Sequence, residues 1–156
     1  MSNKEIKKYD KNNNLIYHKN SFGREYWQEF DKNNNCIHSK NSNNYEFWRE
    51  YDERNNLIHY ENSNNDEYWR EYDERNNEIH FKDSDDFEYW QEFDENNNEI
   101  HYKDSTGSEF WYKYDDKNNE QIEITEQEFK QIERRKEKQE LYLNNKKSNR
   151  FEIMDI

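Results

Sequence analysis

The chain has 156 residues, 29% of them hydrophobic and 39% charged, a formal net charge of −13, one cysteine and no proline. This leaves room for one domain with a thin core, disfavours nucleic acid and anionic membranes as direct partners, and rules out an internal disulfide. Aromatic residues reach 17%, far too many and too regularly phased for a disordered chain.

The opening Met1-Ser2-Asn3-Lys4 has no apolar signal-peptide region, and no run approaches the roughly 18 apolar residues of a membrane span, so the cytoplasm is the expected location. From here a 21-residue beat governs the sequence. Tyr9, Phe30, Tyr51, Tyr72, Phe93 and Tyr114 are each followed by Asp10, Asp31, Asp52, Asp73, Asp94 and Asp115, and all 5 tryptophans (Trp27, Trp48, Trp69, Trp90 and Trp111) share one position of the unit. Such phasing points to a repeat array in which each unit buries its apolar side chains against its neighbours. Ile6 stands one period before Trp27, so residues 1–8 are expected to supply a half-unit.

Within the third copy, Leu57-Ile58-His59-Tyr60 and Glu67-Tyr68-Trp69-Arg70-Glu71-Tyr72 have strand length and strand composition. Turn-rich segments separate them. The third residue after each Asp is Asn13, Asn34, Asn55, Asn76, Asn97 or Asn118, and the matching residue of the other turn is Gly23, Asn44, Asn65, Asp86 or Gly107. Gly, Asn and Asp tolerate the positive φ that tight hairpin turns require. The expected fold is therefore all-β: an antiparallel meander of 21-residue β-hairpin repeats, about eleven or twelve strands, with a C-terminal helical cap. Alternation puts Tyr68, Arg70 and Tyr72 on one face and Trp69 with Glu71 on the other, and like side chains of successive units are expected about 9–10 Å apart.

Ile122 falls one residue late against Ile16, Ile37, Ile58, Ile79 and Ile100, so the beat ends after Tyr114. Thr125 and Glu128 have capping-box spacing, and the Glu-, Lys-, Gln- and Arg-rich stretch to about Leu143 predicts a helix with Phe129 and Ile132 on one face. It is expected to cover the last strand. Phe151, Ile153 and Ile156 alternate and suit either an added strand or a docking tail. Two regions result: a repeat array over 1–124 and a helix with tail over 125–156. Cys36 stands where Leu15, Leu57, Glu78 and Glu99 stand in other copies and reads as a reduced filler residue.

The stretch "YDERNNLIHYENS" resembles the tyrosine-aspartate (YD, RHS-like) repeats of bacterial proteins, with Tyr51, Asp52, Asn55 and Leu57 at the motif positions. "EYWREYDERNN" is also similar to the MORN-like repeats of some bacterial antitoxin-type proteins. The likeness covers residues 5–124, with Asn in place of the usual turn Gly almost everywhere. It implies a β-hairpin repeat with a binding or scaffolding role and carries over no catalytic residue.

His38, His59, His80 and His101 share one position, but on a regular sheet they stand too far apart to converge at about 2.0–2.1 Å on one zinc; the expectation is a ladder of surface histidines without a metal or other cofactor. His18 is displaced from this ladder by one position. Glu29, Glu50, Glu71 and Glu92 form a row spaced more widely than the roughly 5–9.5 Å of glycosidase acid pairs, and no phosphate-cradling Gly loop or dinucleotide fingerprint is present. No enzyme is expected.

Charge is the best functional clue. Residues 1–40 hold 8 Lys and Arg against 5 Asp and Glu, net +3; residues 41–124 hold 8 against 25, net −17; residues 125–156 hold 8 against 7, net +1. The expectation is a non-catalytic protein that binds and neutralises a basic, nucleic-acid-handling protein, in the manner of an anti-defence inhibitor or an antitoxin. Its acidic face would comprise Glu50, Asp66, Glu67, Glu71, Asp85, Asp86, Glu88 and Glu92. The alternatives are a glycan- or ligand-binding scaffold whose aromatic platform is Trp48, Trp69 and Trp90, or a structural interaction module. A second copy, joined through a sheet edge or the C-terminal tail, is a further candidate partner.

Overall fold

The structure, a computed structural model, describes residues 4–115 and 120–152, with side chains through residue 144. The strands run β1 (Ile6–Tyr9), β2 (Leu15–Lys19), β3 (Glu25–Phe30), β4 (Cys36–Asn41), β5 (Glu46–Tyr51), β6 (Leu57–Asn62), β7 (Glu67–Tyr72), β8 (Glu78–Asp83), β9 (Glu88–Phe93), β10 (Glu99–Asp104), β11 (Glu109–Tyr114) and β12 (Gln121–Ile124). They form a 12-stranded antiparallel sheet in chain order, followed by α1 (Glu126–Glu152). The all-β meander with a C-terminal helix expected from the repeats is the fold. Residues 1–91 with 104–107 make one compact unit, and residues 92–103 with 108–156 make a second.

The turns explain why each landmark aromatic is followed by Asp. In the Asp52 turn, the Asn55 N–H donates to the Asp52 carbonyl at 3.1 Å and the Asp52 N–H to the Asn56 carbonyl at 3.0 Å. Asp52 Oδ1 accepts from the backbone N–H of Arg54 (2.9 Å) and Asn56 (2.8 Å), and Oδ2 accepts from Asn56 Nδ2 at 3.0 Å. The carboxylate thus holds a tight turn that closes on a left-handed residue. Asp10, Asp31, Asp73 and Asp94 repeat the arrangement. In the alternate turns an amide or a carboxylate does the same: Asn62 Oδ1 accepts from Asn64 N–H (2.8 Å) and Asp66 N–H (3.2 Å), with Asn20 and Asn41 at that position in two other copies and Asp83 and Asp104 in two more. Every described turn residue expected at positive φ has it, between 62° and 95°. Asn118 lies outside the described residues.

Neighbouring units are stapled through the second turn. Ser63 N–H donates to the Glu46 carbonyl at 2.8 Å and Ser63 Oγ accepts from the Glu46 N–H at 3.1 Å, and Ser42, Ser84 and Ser105 meet Glu25, Glu67 and Glu88 in the same way. The register also slips at Lys8/Tyr9, Glu29/Phe30, Glu50/Tyr51 and Glu71/Tyr72, a β-bulge just before each Asp. In the last hairpin Asp115 N–H reaches the Glu120 carbonyl, five residues on instead of four, so the extra residue that makes Ile122 late lies between them and β11 still pairs with β12.

Register corrects the expected spacing. Trp48 faces His38, and His38 faces Glu29, not Trp27. Crossing two strands advances the chain 19 residues, from Glu29 to Trp48, whereas the repeat is 21. Like positions therefore step two residues along the strand, roughly 7 Å, for about 9.6 Å across it, and stand about 12 Å apart.

Among the described residues no hydrophobic side chain is fully buried, and the most covered polar ones are the turn-holding Asn62 and Asp104. Rings stacked along the sheet take the place of a core. In the first unit Tyr60 and Tyr68 stack at 5.0 Å, Tyr68 and Phe81 meet at 5.7 Å and Phe81 and Tyr89 stack at 5.2 Å, with the Arg49 guanidinium 4.4 Å from the Phe47 centroid and that of Arg70 4.8 Å from Tyr68. Each guanidinium covers apolar ring surface from the same face.

α1 begins with the expected capping box: Glu128 N–H donates to Thr125 Oγ1 at 3.2 Å, and Thr125 N–H donates to Glu128 Oε2 at 2.9 Å. Its packing partner among the strands is β11, one strand in from the last strand that it was expected to cover. Ile100, Tyr112, Tyr114, Phe129 and Ile132 line the cleft between α1 and the strands of this unit. The helix continues to Glu152, so Phe151 is helical and forms no added strand; Ile153 and Ile156 lie outside the described residues.

Candidate functional site

Alternation along β5, β7 and β9 gathers Trp48 with Glu50, Glu67 with Trp69 and Glu71, and Glu88 with Trp90 onto one face, opposite the Tyr and Phe ladder. The two sets named separately as acidic face and aromatic platform are therefore one surface. Trp27, Trp48, Trp69 and Trp90 remain 38–41% exposed. Asp66, Asp85 and Asp86 are not part of it. They sit in turns, where Asp66 Oδ2 accepts from Asn62 Nδ2 at 2.8 Å, Asp85 N–H donates to Asp83, and Asp86 is the residue at positive φ.

The histidines are not a surface ladder. Each stacks under a tryptophan: His38 on Trp48, His59 on Trp69 and His80 on Trp90, all at 5.3 Å, and in the second unit His101 on Trp111 at 5.1 Å. The indole shields a ring that would otherwise stand free, leaving the side chains 19–22% exposed. Each is also bracketed by two carboxylates. Nε2 lies 2.7, 2.9, 2.8 and 3.1 Å from Glu46, Glu67, Glu88 and Glu109, and Nδ1 lies 3.4, 3.7, 3.3 and 3.3 Å from Glu29, Glu50, Glu71 and Glu92. An ionised carboxylate only accepts, so Nε2 is the donor to the nearer glutamate. The hydrogen bond from His38, and then the Lys40 ammonium, hold the Glu46 carboxyl below its ordinary value. The outer glutamates, Glu29, Glu50, Glu71 and Glu92, stay 64–70% exposed.

No single residue class carries this bracket. Its signal was present: a Glu nine residues before and eight residues after each of these histidines. Tyr17 takes the histidine position in the first copy and meets Trp27 at 5.7 Å, while His18 turns to the other face, stacks on Tyr26 and bonds Glu5.

Cys36 is free and half-buried, and burial pushes its thiol above the ordinary value, so it is a poor nucleophile. Among the described residues no three or more His, Cys, Asp or Glu side chains converge as the ligands of one ion would. No helix among them is long and apolar enough to cross a membrane.

No protein-family model matches this chain, and no curated protein does. Solved structures do. A crystal structure of TcdB2-TccC3-Cdc42 superposes with a TM-score of 0.61 at 17% identity, over 76% of this chain and 7% of that one. A TcdB2-TccC3 crystal structure gives 0.57 at 16%, over 70% and 6%. The Tc holotoxin pore of Photorhabdus luminescens gives 0.59 at 11%, over 75% and 8%. The chain thus spans less than a tenth of each of these structures. At such identity the likeness shows the fold alone.

Proposed function

We propose that this protein is a non-catalytic repeat scaffold whose tryptophan-bearing face binds a basic protein, and that by occupying a positively charged groove it neutralises a nucleic-acid-handling partner. The observation that carries this reading is the coincidence, on one face and in three successive repeats, of a half-exposed tryptophan with a glutamate left mostly in solvent: Trp27 with Glu29, Trp48 with Glu50 and Trp69 with Glu71. Indole and carboxylate together suit ammonium and guanidinium groups, the one by cation–π attraction and the other by charge. A non-catalytic role is supported by the sameness of the units: the chemistry-bearing side chains recur at each, and His and Glu are already engaged with one another.

A pull-down from a lysate at low and high salt tests it. Partner capture should fall steeply with salt, and E50K/E71K/E92K should abolish it. Capture that survives the triple charge reversal would refute the reading. The exposed indoles also favour a ligand platform; a glycan that shifts the Trp69 fluorescence without dependence on salt would favour that function instead.

A further inference from the structure

Facing residues on the tryptophan side of the first unit form files that cross the strands. One runs Glu50, His59, Trp69, Lys82, Glu88 over β5 to β9. The file before it ends Trp27, Lys40, Glu46. In both, a lysine of the protein itself stands between an indole and a glutamate, and Lys40 Nζ lies 3.2 Å from Glu46 Oε2. Lys19 pairs with Glu25 in the same sense, as does Lys103 with Glu109 in the second unit.

The file between these two breaks the pattern. It runs Glu29, His38, Trp48, Glu61, Glu67, so that a glutamate occupies the lysine position and two carboxylates face each other across adjacent strands. Like charges directly opposed destabilise a sheet. The neighbouring files show which group belongs between an indole and a glutamate at this place: a primary ammonium.

We infer that Glu61 and Glu67, beside Trp48, form the seat for a lysine side chain of the partner, which completes from outside the Trp–Lys–Glu arrangement that the adjoining files complete from within. Trp48 is 38% exposed and supplies the ring; the two carboxylates supply the charge. Charge complementarity selects a lysine-bearing segment over an acidic or neutral one. The inference rests on the proposed function and assigns its partner's contact to one position.

The test uses the full chain and a fluorescently labelled hexalysine peptide, with its Nε-acetylated form as control. The native chain should bind hexalysine in a salt-dependent way and ignore the acetylated peptide. E61K, which fills the seat with the protein's own ammonium, should weaken binding on the order of ten-fold while raising the melting temperature, so that loss of binding is not loss of fold. E74K makes the same change of charge at an exposed turn tip and should weaken binding less than about two-fold. K82E opens an equivalent seat beside Trp69 and should tighten binding. Equal losses in E61K and E74K would overturn the seat while leaving the acidic-face reading intact; absence of salt-sensitive binding by the native chain would overturn both.

Discussion

The two units solve one problem differently. In the first, the described residues form strands and turns alone, and the ring face is kept together by stacked Tyr and Phe with Arg49 and Arg70 laid over them. In the second, α1 lies against β11, and the position held by Arg49 and Arg70 becomes Tyr112, whose phenol burial pushes above its ordinary value. A guanidinium beneath a helix would lose water without gaining a partner, whereas a ring fills the space. On the opposite face charge is kept and only its sign changes, the outer glutamate of other copies becoming Lys113. A repeat therefore tolerates charge where a face meets solvent and gives it up where a second layer arrives. The first unit depends on its turns and cross-strand pairs, the second on a helix as well.

That contrast can be broken by acid. Asp10 is held below its ordinary value by the backbone N–H of Asn14 and the other bonds of its turn; in Asp31, Asp52, Asp73 and Asp94 burial acts the other way but the turn N–H and amide donors outweigh it. A depressed folded value means that this stabilisation is complete above the unfolded carboxyl value near 4 and is lost as pH falls through the folded values. Unfolding followed by circular dichroism should set in below about pH 4 and take both units with it. A single-site version is smaller. Asp52→Ala should cost about 1–3 kcal/mol in a denaturant melt, while Asp52→Asn should recover most of it, as the asparagines of the alternate turns already perform that role. Thr125→Ala should cost about 1 kcal/mol and act on the second unit, reading out as faster amide exchange in α1 with β3–β8 unchanged. The smallest effect sharpens the comparison within the first unit: Glu61→Lys should stabilise by about 0.2–1 kcal/mol, since it replaces an opposed like pair by an opposite one.

Much of this was legible in the chain. Gly, Asn and Asp at a fixed phase announced positive φ, and the structure has it at each described site; Thr125 and Glu128 announced the helix start. Those signals are local, written within four residues of where they act. What stayed hidden is set between strands. The stagger that separates Trp27 from Trp48 by about 12 Å follows from the bulge and turn lengths together, and no single residue carries it. The Glu–His–Glu bracket spans three strands, so its members are eight and nine residues apart and look unrelated until the register is known. The acidic set was half legible for the same reason: Glu50, Glu67, Glu71, Glu88 and Glu92 obey strand alternation, but Asp66, Asp85 and Asp86 belong to turns that alternation does not govern.

The extra residue between Asp115 and Glu120 shows where this architecture forgives a change of length. A codon gained in a bend only lengthens the bend; the same codon gained inside β5 or β7 would exchange the indole side for the phenol side in everything downstream on that strand. Whole modules, by contrast, begin and finish in the same phase. Duplication or loss of a complete module would leave every remaining contact in step, so a gene of this design can vary its reach freely while its faces keep their identity.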